Sequence, residues 1–103
     1  MDLSLTEQNH TQILCVQGEL DALSSPELRP TLDVLTRHRG CTIVVDLSKL
    51  ELLDASGVGA LVFLYKRARA NRGSVSFVGV ANQPLSIFKL LRLDHVFTLD
   101  THS

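Results

Sequence analysis

The segment Asp54-Ala55-Ser56-Gly57-Val58-Gly59 places one hydroxyl among small neighbours, next to one carboxylate. An apolar run precedes it and helix-spaced apolar residues follow it, so a strand and a short loop deliver Ser56 to the start of a helix. Glycine in a helical turn costs about 1 kcal/mol against alanine, so two glycines in three positions need a reason. Two uses of Ser56 fit. In one, its hydroxyl caps the helix by accepting from a backbone N–H two or three residues on, and the glycines allow close packing. In the other, the hydroxyl is exposed where backbone N–H groups and the helix dipole favour an added anion. A phosphate there brings a charge of about −1.5 to −2. The domain itself tolerates that charge, but a partner packed over Ser56 would have to bury it beside Asp54. The small residues Ala55, Gly57 and Gly59 admit both a partner and a kinase. On this reading Ser56 is a binary switch.

Catalytic readings find less support. A nucleophile elbow, Gly-x-Ser-x-Gly, needs glycine at 54 and 58, which are Asp54 and Val58. His10, His38, His95 and His102 fall in expected loops or helix ends and read as solvated surface groups. Gly57-Val58-Gly59 lacks the third glycine of a dinucleotide fingerprint, and no Walker lysine follows. Asp21, Asp46 and Asp54 stand where aspartate ordinarily forms turns and caps, so no metal or other cofactor is expected. Lys66, Arg67, Arg69 and Arg72 crowd the end of a helix, where positive charge suits the dipole. They read as a solvated helix end, not a nucleic-acid or lipid site. The chain is expected not to be an enzyme.

Composition bounds the rest. A chain of 103 residues, 45% apolar, fits one domain over 1–103 with a real core. A net charge of −1 exerts no bulk pull toward nucleic acid or an anionic membrane. The first residues show no basic stretch followed by an apolar run, so no leader is expected, and no run is long enough to span a membrane. Cys15 and Cys41 lack metal-site spacing and read as reduced thiols of a cytoplasmic protein.

The elements that position Ser56 follow from periodicity. Leu3–Leu5 and Ile13–Gly18 read as a strand hairpin across Gln8-Asn9-His10. Ser24 and Glu27 have capping-box spacing, with Pro26 in the first turn. Leu28, Leu32 and Leu35 then define a helix to about Arg39, stopped by Gly40 and disturbed by Pro30. Thr42–Leu47 reads as a strand covered on both faces. A second helix runs from the Ser56 segment to Gly73 with Val58, Leu61, Val62, Tyr65 and Ala68 inward. Val75–Val80 is a further strand. A third helix opens at Asn82-Gln83-Pro84 with Ile87, Leu90 and Leu91 inward, and Val96–Leu99 closes as an edge strand. The order β-β-α-β-α-β-α-β implies an α/β domain: a mixed, mostly parallel sheet of about four or five strands with helices packed on it.

At this level the chain resembles the STAS-domain family, and within it the anti-sigma factor antagonists of bacterial partner-switching systems. Gly18-Glu19-Leu20-Asp21 is similar to the family's turn after its second strand, and Ile43-Val44-Val45-Asp46-Leu47 to its central strand. Asp54–Gly59 matches its phosphorylation segment, and Val80 with Pro84–Leu93 its later strand and helix. The resemblance implies phosphorylation of Ser56 by a serine kinase that is also the anti-sigma factor. It implies that the unphosphorylated form binds that kinase and releases its target, and that a PP2C-type serine phosphatase restores it. It places Asp21, Ser24 and Ser25 near Ser56, with Asp54, Ala55, Gly57 and Val58 framing it as partner-binding residues. ATP and Mg²⁺ would belong to the kinase. An alternative output within the family is a non-sigma one, such as biofilm or polysaccharide regulation, a lipid-transport ATPase subunit or a stress-sensing complex.

Overall fold

The computed structural model describes residues 1–95 and 97–100. The elements are β1 (Asp2–Gln8), β2 (Thr11–Leu20), α1 (Ser25–Leu35), β3 (Thr42–Asp46), β4 (Leu50–Leu53), α2 (Ala55–Ala70), β5 (Ser74–Val78), α3 (Asn82–Leu90) and β6 (Thr98–Asp100), with a 3₁₀ turn at Leu93–His95 before β6. The α/β class and mixed sheet are as expected. The main path of the sheet has the five expected strands, and Leu50–Leu53 adds a sixth off that path, which enters the chain order between β3 and α2.

The hairpin turns on Asn9 and His10, both at positive φ (51° and 68°), the geometry of a two-residue turn that follows the strand twist. β1 pairs antiparallel with β2, and the sheet continues through parallel β3, β5 and β6. β2 is ten residues long and serves two neighbours on one side. Its first half, Thr11–Cys15, pairs with β3, and its last three residues, Gly18–Leu20, pair with β4 across a register shift at Gly18/Glu19. Gly18 takes φ 99°, which a side chain would strain, where the strand leaves one partner for the other. This fork matters for the site: pairing Leu20 with Leu53 brings the loops that begin at Asp21 and Asp54 side by side.

Leu14, Val16, Ile43, Val45, Val75 and Phe77 all point into one core, and each is at most 5% exposed. Their alternates Cys15, Val44 and Ser76 are only half-buried. The expectation that β3 is covered on both faces is therefore corrected: one face is sealed and the other partly open. Leu28, Leu32 and Leu35 of α1 and Leu61, Leu64 and Ala68 of α2 close the core from above.

One helix boundary, one helix face and the last strand also differ from expectation. α1 stops at Leu35, not Arg39, because Thr36 donates its hydroxyl to Leu32 O (2.8 Å) while Asn71 Nδ2 donates to Thr36 O (2.6 Å). α3 turns Pro84 and Phe88 inward, whereas Leu90 (76%) and Leu91 (51%) face solvent. Phe88 meets Phe77 edge-on at 5.9 Å, and that aromatic contact sets the rotation of the helix. The last strand is Thr98–Asp100, and Val96, expected to open it, lies outside the described residues.

Candidate functional site

α2 begins directly after β4, and its first turn is fixed by Asp54. Asp54 has extended backbone and its Oδ1 accepts from Gly57 N at 3.0 Å, so Asp54 is the N-cap. The capping use of Ser56 is thereby corrected: Ser56 is the second helical residue and is exposed. Helix geometry gives the Ala55 and Ser56 N–H groups no intrahelical acceptor. The Ser56 hydroxyl thus sits at the positive end of α2 without being needed to build it.

The second oxygen of Asp54 reaches across the fork. Oδ2 accepts from Ala22 N at 3.2 Å, and Asp54 N donates to Leu20 O at 3.2 Å. One residue therefore caps α2 and holds the Asp21–Ser24 loop beside it. That loop is closed by its own network. Asp21 Oδ1 accepts from Leu23 N and Ser24 N, both at 3.0 Å. Ser24 Oγ accepts from Asp21 N at 2.9 Å and donates to Glu19 O at 2.8 Å. The N–H and hydroxyl of Ser24 favour the charged carboxylate and hold the Asp21 pKa below its ordinary value. Ser24 makes no side-chain cap to α1, so its capping-box role is corrected as well: its hydroxyl is committed to the turn before the helix.

The sequence-derived residues divide into two sets. Asp21, Ser25, Asp54, Ala55 and Ser56 share one end of the molecule with at least partial exposure. Ser24 (9% exposed), Val58 (8%) and Gly57 lie inside, so they support the surface from beneath and are not on it. Gly57 is required by packing. A Cβ there would collide with Leu20 O and come within 2.7 Å of Leu53 Cδ1. Gly59 has nothing within 4 Å of where its Cβ would be, and it faces a groove.

That groove, about 650 Å³, runs between α1 and α2 with Ser56 in its wall. Ser25, Arg29 and Leu32 line one side at helical spacing, and Ser56, Ala60 and Phe63 line the other. The Arg29 guanidinium lies 4.7 Å from the Phe63 ring centroid and closes the far end. Leu23 is 88% exposed on the loop before α1, whose backbone is tied down by Asp21 and Asp54. Arg29, Phe63 and Leu23 were not found from sequence. The first two become a pair only once α1 and α2 are known to be neighbours. Leu23 did carry a signal, being an apolar residue inside a run of turn formers. His10, His38 and His95 are exposed; His102 lies outside the described residues. Among the described residues, no group of three His, Cys, Asp or Glu side chains is placed to hold a metal ion.

A forked mixed sheet sets a capped, serine-bearing helix against a helix-flanked groove. The family model described as "Mlab, STAS domain" matches residues 3–99. This chain belongs to the STAS-domain family. Its relatives include the anti-sigma F factor antagonist of Paenibacillus polymyxa, 30% identical over 102 residues, covering 96% of this chain and 85% of that one. An anti-sigma factor antagonist from Mycobacterium paratuberculosis has the same fold, with TM-score 0.84, 23% identity, and coverage of 96% of this chain and 84% of that one. The Bacillus cell fate determinant SpoIIAA in its phosphorylated form superposes with TM-score 0.73 at 19% identity, over 98% of this chain and 93% of that one.

Proposed function

We propose that this chain is an anti-sigma factor antagonist whose docking surface is switched by phosphorylation of Ser56. The observation that carries this reading is the division of labour in the first turn of α2. Asp54 caps the helix, leaving the exposed Ser56 hydroxyl free for chemistry at the dipole's positive end. The partner is a serine kinase that doubles as the anti-sigma factor and brings its own ATP and Mg²⁺. It docks over Asp21, Ser25, Asp54, Ala55 and Ser56, with Ser24, Gly57 and Val58 holding that surface from below. A PP2C-type serine phosphatase resets the switch, and the exchange takes place in the cytoplasm. The naming of the Paenibacillus relative and the phosphorylated state of the Bacillus fold relative support this assignment.

Phosphorylation ends docking because the partner would have to desolvate about two negative charges with Asp54 already present. Ser56→Ala, used as bait in cell extract, is expected to retain the kinase. Ser56→Asp should bind that kinase at least about tenfold more weakly in titration calorimetry, since an uncompensated buried charge costs several kcal/mol. Equal affinity of the two variants would remove the switch. An intact-mass measurement from cells should show a phosphoryl increment that maps to Ser56.

A further inference from the structure

The charges of this molecule are sorted by strand direction. Every parallel strand ends on the Ser56 side, and the strand ends, their loops and the first turn of α1 carry Glu19, Asp21, Glu27, Asp46, Glu51 and Asp54. Among the described residues, Arg29, Lys49 and the Met1 ammonium oppose them at this end. The helices end on the opposite side, where Arg37, Arg39, Arg69, Arg72, Lys89 and Arg92 are all exposed. Arg67 is paired with Asp33 there, which leaves Asp94 as the other carboxylate at the helix ends and the segments after them. A net charge of −1 therefore conceals two poles. Helix dipoles account for Glu27, Arg69 and Lys89. They do not account for Glu19, Asp46 and Glu51, which lie on or beside strands, nor for Arg37, Arg39, Arg72 and Arg92 beyond the helix ends.

The acidic pole carries an apolar knob. Leu23 is 88% exposed on the loop that Asp21 and Asp54 hold, whereas the groove wall Phe63 lies under two guanidinium groups, Arg29 at 4.7 Å and Arg67 at 5.6 Å from its ring centroid. Asp21 and Asp54 both hold the Leu23 loop by backbone hydrogen bonds, so the apolar knob is fixed in solvent before any partner arrives. An apolar centre with a charged rim is the ordinary anatomy of a docking face.

We infer that the face around Ser56 takes a partner segment that is both apolar and basic: aliphatic side chains for Leu23 and the Ser56 end of the groove, flanked by lysine or arginine for the carboxylates of the strand-end loops. The inference deepens the docking reading above, on which it rests, by naming the chemistry of the partner's contact surface. A basic face is drawn to this pole over several ångströms, and an acidic one is repelled before contact.

The test is an amide-shift NMR titration of the intact, unphosphorylated chain with two synthetic amphipathic peptides of the same apolar pattern. One carries leucine and lysine, the other leucine and glutamate. The lysine peptide is expected to shift amides at Ala22–Ser24, in the first turns of α2 and at the start of α1. It should bind about tenfold or more tightly than the glutamate peptide. Reversing two rim charges, Glu19→Lys with Glu27→Lys, should remove that preference, whereas Arg39→Glu at the far pole should leave it unchanged. Equal affinity of the two peptides overturns the inference, as does a lysine peptide that fails to bind or shifts the far pole instead. No phosphorylation enters this titration. A chain never modified in cells sinks the switch alone, and indifferent peptides sink the partner chemistry alone.

Discussion

At the scale of single residues, the two glycines beside Ser56 look equivalent in the sequence and are opposites in the structure. Gly57 has no room for a methyl group, with Leu20 O and Leu53 Cδ1 in the way. Gly59 has open space and a helical backbone that alanine prefers. Gly57→Ala is expected to lower stability by about 1–3 kcal/mol through overpacking. Gly59→Ala should raise it by about 0.5–1 kcal/mol. Urea unfolding of the two variants checks both signs. The stabilised Gly59→Ala chain also puts a methyl group into the groove beside Ser56, so it should bind the kinase partner more weakly despite being more stable. A glycine that costs stability and is retained at a groove wall is consistent with a surface shaped for contact.

At the scale of elements, the position of Ser56 depends on β4, and β4 is the element the sequence did not disclose. Leu50-Glu51-Leu52-Leu53 has no period-two pattern, since Leu50 and Leu53 are buried while Glu51 and Leu52 are exposed. Its strand character comes from pairing with the end of β2 after the fork, a contact between residues some thirty positions apart. The cap of α2 is open in the sequence for a similar reason. Asp54 and Ser56 are both good caps, and the choice falls to Asp54, whose other oxygen holds Ala22 N across the same fork. Continuous apolar runs such as Ile43–Val45, and the long helix after Gly59, were readable because their signal is local. β4 has one further support. Gln83 at the start of α3 accepts from Leu53 N at 2.8 Å and donates to Leu53 O at 2.9 Å, completing the outer edge of the strand as a neighbouring strand would. Gln83→Leu would leave both groups without that partner. The expected cost is about 1–3 kcal/mol for each group that stays dry. Hydrogen exchange should show it first at the Leu53 and Asp54 amides, ahead of the hairpin β1–β2. Uniform loss of protection across the sheet would mean that Gln83 supports the whole fold and has no special hold on the site.

At the scale of the whole molecule, the question is whether a phosphate on Ser56 acts by docking or by unfolding. The N-terminus of α2 favours the added anion by about 0.3–1 kcal/mol. The acidic pole opposes it. In the water that surrounds the exposed Ser56, a carboxylate some two turns of helix away costs a doubly charged phosphate about 0.8 kcal/mol before screening and about 0.2 kcal/mol at physiological salt. These terms nearly cancel, and Ser56 is exposed, so no packing is disturbed. The phosphorylated chain should therefore unfold within about 4 °C of the unmodified one, the shift that 1 kcal/mol produces in a domain of this size. A fall of much more than that in a calorimetric scan would place the switch in the stability of the domain and remove the docking argument. If the two melting curves coincide, the effect of the phosphate must be found at the interface. A basic partner would still be drawn toward the more negative pole, so encounter should not slow. The close fit around Leu23 and the groove would be lost, and phosphorylation should shorten the lifetime of the complex while leaving its rate of formation nearly unchanged.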